Sequence, residues 1–163
     1  LRDFMMADNL EYIVSCERGR GKVLVYAHNS HLSRGRAEWQ LGADLLAWWP
    51  AGAHLAEIFG PRYAVVGTAV GVSDENGIGE PEAGTIEARL AAAARPGSGL
   101  FIPTSGGRLL PAAEIGDLPV RSGSGKNPTY FPLTPRSFTG FDALAFLDGV
   151  GYSRGGPELP LDR

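Results

Sequence analysis

Three histidines occur in the 163 residues, and two of them fall together in Tyr26-Ala27-His28-Asn29-Ser30-His31. An imidazole donates, accepts or shuttles a proton near neutral pH, because its unperturbed pKa is about 6.5. The run Lys22 to Ala27 before it is nearly all apolar with two β-branched residues, and reads as a strand covered on both faces. His28 then stands at a strand end, aimed into the crevice where α/β proteins hold ligands. The competing reading has His28 bonded to a neighbouring carbonyl and His31 solvated. Arg2 adds a guanidinium, always charged and forked, which suits a developing oxyanion better than a lysine does; a solvated terminal residue is the alternative. Asn29 either orients His28 or closes a local turn. Asp74 and Glu75, in a glycine-rich loop, either border a pocket or are solvated.

Other chemistries find less support. His28 and His31 are both potential zinc ligands, but there is no HExxH helix, one cysteine and no third ligand at an informative spacing, so no metal site is expected. Gly19-Arg20-Gly21-Lys22 is too short for a phosphate loop and precedes a strand rather than a helix. No GxSxG elbow is present to expose a nucleophilic serine. Cys16 reads as a core or partly buried residue rather than a nucleophile.

The elements that must carry these side chains alternate in type. Met6, Leu10, Ile13 and Val14 are spaced for a helix over Asp3 to Arg18. Gln40 to Phe59, interrupted at Pro50 and Gly52, reads as two short helices. Tyr63 to Val70 is a second strand. Thr85 is placed to cap a helix with Glu87 in its first turn and Ile86 and Leu90 on its apolar face. Leu100 to Ile102 and Phe141 to Leu147 are further strands, while residues 119–140, with four prolines, should wrap the surface without regular structure. Strands alternating with helices predict an α/β fold with a mainly parallel sheet flanked by helices over residues 1–148, followed by a loosely ordered tail, 149–163.

Bulk properties narrow the partners. A chain of this length buries roughly 70% of its unfolded surface, and 44% hydrophobic against 20% charged residues is a globular balance. The net charge of −3 offers no field for nucleic acid, and no run approaches the ~20 apolar residues of a membrane span. With a single cysteine and no signal-peptide pattern, a soluble cytoplasmic protein is expected. Leu1 in place of an initiator Met, already inside a helical pattern, reads as a chain cut from a longer one.

The stretch Arg2-Asp3, Met6-Ala7-Asp8-Asn9 through Lys22 to His31 resembles the erythromycin esterase family. Gly42-Ala43-Asp44-Leu45, Ala53-His54-Leu55-Ala56, Gly60 to Gly67, Thr85-Ile86-Glu87 and Phe141 to Asp148 resemble its later elements. The likeness covers about Arg2 to Asp148, with its specificity in Ala27 to His31 and the helix before it. Family members are more than twice this length, so the resemblance implies an incomplete, C-terminal portion of the fold whose histidine and glutamate for activating water lie in a preceding half. It implies cofactor-free hydrolysis of a carboxylic ester or macrolide lactone by activated water, as in antibiotic inactivation. By position in the family, His28, Arg2 and, secondarily, His31 are the catalytic candidates. Asn29, Asp74 and Glu87 are candidates for contacting substrate. Two alternatives stay open: a non-catalytic α/β domain that binds a small molecule, and a metal-dependent hydrolase.

Overall fold

The computed structural model describes the chain apart from residues 18–19, 42, 107–115, 124–125, 128–129, 153–154 and 157–163. The first helix, α1, spans Arg2–Cys16. Asp3 and Ala7 are buried along it, and Met6 and Leu10 are half-buried beside them, a stripe at i, i+4 and i+7 that faces one neighbour. That neighbour is α3, Ala51–Phe59, which contributes Ala51 and Leu55. The expected end at Arg18 falls outside the described residues. Cys16 is exposed rather than in the core, because nine residues beyond Ala7 it points about 180° around the helix.

A second apolar cluster gathers on the sheet, where Val65, Ile86, Leu133, Phe138, Phe141 and Leu144 are buried together. Tyr63 packs against both clusters and joins them. The sheet has the order β3-β5-β4, with β3 at Val66–Val72, β4 at Gly99–Pro103 and β5 at Ala143–Gly149. β5 is central and carries the fully buried Leu144 and Phe146. Gly67 is required opposite it, since a side chain there would meet the Phe141 and Leu144 side chains. β5 pairs parallel with β3, Thr68 lying opposite Ala145, and antiparallel with β4, Phe101 lying opposite Ala145. Among the described residues the sheet is therefore mixed, not mainly parallel. Alternation along the chain predicts crossovers, but β4 pairs with β5 from the opposite direction.

Three further expectations are corrected in detail. Residues 21–28 form no strand, although Val23, Val25 and Ala27 are half-buried in alternation with bare neighbours. Leu24 is 96% and Tyr26 97% exposed. The run carries the composition of a strand, but no described segment supplies its ladder. Instead of two helices between Gln40 and Phe59 there is an antiparallel hairpin, β1 (Ala37–Leu41) with β2 (Asp44–Trp48), and then α3. Its period is two, not 3.6, once Trp39 is set opposite Leu46.

The 119–140 stretch also contains a short helix, α5, at Pro135–Gly140. Thr134 and Ser137 cap it reciprocally and Pro135 occupies its first turn, signals that outweigh its poor helix formers. The helix α4, Ile86–Ala93, begins as expected, with Ala88 N donating to Thr85 Oγ1 at 3.2 Å. Much of the expected tail, residues 153–154 and 157–163, lies outside the described residues. No described helix is long and apolar enough to cross a membrane.

This division between buried strand and bare run is measurable by urea unfolding. Replacing Leu24 and Tyr26 together by Ser should change the unfolding free energy by less than about 0.5 kcal/mol and reduce any self-association seen by light scattering. Leu144→Ala should cost about 3 kcal/mol.

Candidate active site

The histidine stretch folds into a single helical turn, α2, at Asn29–Leu32, with His28 as its N-cap. Ser30 N donates to His28 Nδ1 at 3.2 Å, and Ser30 Oγ lies 2.9 Å from the same nitrogen. The turn is fixed on every side. Asn29 Nδ2 donates to Thr68 O at 2.6 Å and its Oδ1 accepts from Thr68 N at 3.0 Å, docking α2 onto β3. Tyr63 Oη donates to Leu32 O at 2.6 Å. Arg34 donates to Tyr63 O at 2.7 Å and pairs with Asp142 at 2.8 Å, at the start of β5. Gly52 of α3 sits directly on the Leu32 carbonyl, where a Cβ has no room.

The chemistry converges where α1, α2 and α3 meet. Asp3 is only 7% exposed. Its Oδ1 accepts from Ala51 N at 3.4 Å and lies 2.7 Å from His31 Nδ1. Pro50, the N-cap of α3, has no side-chain acceptor to offer, so the carboxylate of α1 serves the helix terminus instead. On the far side of the ring, Arg2 Nη2 stands 3.3 Å from His31 Nε2. A guanidinium only donates and a carboxylate only accepts, so these two neighbours select the neutral tautomer with the proton on Nδ1 and the lone pair on Nε2. The Arg2 side chain is largely exposed, whereas that of His31 is 20% exposed and its Nε2 lone pair faces the guanidinium.

His28 stands beside this arrangement. Its ring lies 6.4 Å from that of His31 and meets Phe131 edge-on at 5.0 Å. Phe131 lines an adjoining cavity of about 580 Å³, whose walls include Asn29, Ser30, Leu133, Phe141 and an Arg136–Glu38 ion pair at 3.0 Å. Its size is that of small-molecule sites, a few hundred to about 1,000 Å³. Arg2, Asp3, His28 and His31 do not line it; His28 touches Ser30 and Phe131, which do.

Of the sequence candidates, the structure thus brings Arg2, His28, Asn29 and His31 together. Asn29 holds β3 with its amide and also reaches the cavity wall. Asp74 is exposed in a 3-10 turn, Asp74–Asn76, after β3. Glu87 is fully buried under residues 130–133 and lines neither this cavity nor the smaller one beside Arg121. Asp3 is the functional candidate the sequence reading omits. Its signal is present: a carboxylate heading an otherwise apolar stripe that continues through Ala7 and Leu10. Among the described residues, no three of His, Cys, Asp and Glu cluster so as to hold a metal ion.

The family model for erythromycin esterase matches residues 1–150. The chain belongs to the erythromycin esterase family. A crystal structure of a Bacillus cereus protein is similar in fold, with a TM-score of 0.58 and 18% identity, covering 91% of this chain. This chain spans 38% of the length of that protein. No curated protein sequence matches it. Membership implies a hydrolase in full-length members of the family.

Two phenols bracket the site, and both resist ionisation. Burial pushes Tyr63 from 10.0 to about 12, with Arg34 opposing and Asp142 adding to the rise. Burial, then the nearby Glu87 charge, pushes Tyr130 to about 12. A folded pKa above the unfolded value stabilises the fold fully below pH 10, a contribution lost as pH climbs from 10 to about 12. Urea midpoints should therefore fall across that window. Tyr63→Phe, which removes one of the two groups, should make the fall shallower.

Proposed function

We propose that this chain is the C-terminal portion of a hydrolase that opens carboxylic esters, macrolide lactones among them, with activated water. The observation that carries the reading is the Asp3–His31–Arg2 array, a carboxylate-oriented imidazole beside an accessible cation. Hydrolysis needs water to lose a proton as it attacks the carbonyl carbon, a donor for the oxyanion that forms, and a proton for the departing alkoxide. Arg2 suits the oxyanion. His31, whose ring Asp3 orients through Nδ1, suits proton transfer at Nε2 once Arg2 turns from that nitrogen to the oxyanion, which moves His31 ahead of His28 in this reading. His28 then lies between the polar array and Phe131 of the cavity wall. The 38% coverage of the B. cereus chain supports a division of labour in which the remaining part of the fold supplies a further base for water.

A second reading is favoured by one feature, namely that the 580 Å³ cavity is walled by side chains other than Arg2 and His31. A domain that binds a small molecule without converting it fits that separation. Saturable binding with no product, even in the longer protein, would establish it.

The test compares this chain with the longer protein that contains it, each incubated with macrolide and simple ester substrates under mass detection. The longer protein should add one water, and Arg2→Ala or His31→Ala should lower kcat by about 100-fold or more. This chain by itself should show little or no turnover. Undiminished activity in both variants, or robust hydrolysis by the chain alone, overturns the assignment.

A further inference from the structure

Glu87 is a carboxylate at the start of an amphipathic helix, a place where solvent is normally within reach, yet it is 0% exposed. Burying an anion is unfavourable unless it is held by donors. Its Oε1 accepts from Leu133 N at 2.7 Å and from Tyr130 Oη at 3.3 Å. Its Oε2 has no hydrogen-bond partner among the described residues. Tyr130 in turn accepts from Arg121 Nη1 at 3.1 Å. Arg121, itself buried, donates to the carbonyls of Val70, Gly71 and Gly79. A cation fixed to the end of β3 is therefore relayed through a phenol to an anion on α4.

The two donors that Glu87 takes come from residues 130 and 133, one on each side of Phe131 and Pro132. This segment belongs to no strand or helix, and Pro132 has no N–H to give. Its neighbours in space must place it. What it carries is the Phe131 ring, set edge-on to His28 at 5.0 Å and tilted against Trp39 at 6.2 Å. We propose that Glu87 is a positioning residue for His28: its buried carboxylate clamps residues 130–133 on both sides of Phe131 and thereby holds the Phe131 ring against the His28 imidazole. Only the functional meaning of the clamp rests on the esterase reading, since that reading gives His28 its place beside the substrate. Glu87, a sequence candidate for touching substrate, acts at one remove.

The ring-proton chemical shifts of the three histidines test this in the chain itself. Phe131→Ala defines the His28 signals without the aromatic ring. Glu87→Ala should move the His28 signals at least half-way to those values, and Glu87→Gln, which keeps the carbonyl acceptor, should restore them. His54, packed on Phe4 at 5.5 Å between α3 and α1, should not move. If Glu87→Ala loses amide dispersion, Tyr130→Phe removes one hydroxyl and should move His28 in the same direction. His28 signals that follow Phe131→Ala but ignore both Glu87→Ala and Tyr130→Phe in folded protein overturn the clamp, as does an equal movement at His54. Lack of ester hydrolysis by the longer protein, with His28 still following Glu87, overturns the esterase reading and leaves the clamp standing.

Discussion

One buried carboxylate, Asp3, determines how the amino-terminal half of this structure is arranged. It lies at the junction of three helices, supplies the missing cap of α3 and fixes the ring of His31. A buried anion must have its lone pairs engaged, and here each engagement ties down a different element. Removing it would leave a helix terminus and an imidazole without their acceptor at once. Structural and chemical roles therefore converge on a single side chain.

The surrounding architecture explains why this arrangement keeps its shape. A one-turn helix has almost no stability of its own, but α2 is held by an amide on β3, a phenol on its last carbonyl, an ion pair to the head of β5, and a glycine that lets α3 approach its backbone. The central strand β5, buried at Leu144 and Phe146, anchors that scaffold. Rigidity of this kind is what a preorganised site requires, because polar groups aimed in advance need no reorganisation when charge develops. The contrast lies in Arg2, whose side chain is largely exposed and is the solvent-facing partner of the array.

How far the sequence revealed this depends on the range of each interaction. The cap at Thr85, the start of α1 and the strands at Val66 and Ala143 are written in nearby residues, and they emerge as expected. The placement of His28, Asn29 and His31 together was legible because four consecutive positions cannot separate far. What failed depended on distant partners. Lys22 to Ala27 has every local mark of a strand yet finds no ladder among the described residues, and β4 reverses the expected parallel order. The hairpin was hidden by reading Leu41, Leu45 and Leu46 at a helical period. The burial of Glu87 became visible only when a segment 46 positions away was brought against it, and the carboxylate heading the stripe of α1 gained its meaning only with His31, 28 positions away, set beside it. Membership of the erythromycin esterase family, seen first as a resemblance in Ala27 to His31, is supported across residues 1–150.

The central claim is that Asp3 and Arg2 together choose the state of the His31 ring. Nitrogen-15 correlation spectra of the neutral imidazole report it directly. The arrangement predicts a protonated Nδ1 and an unprotonated Nε2 at His31, a preference lost in Asp3→Ala. A neutral ring that carries its proton on Nε2, or whose tautomer is indifferent to Asp3, would contradict it.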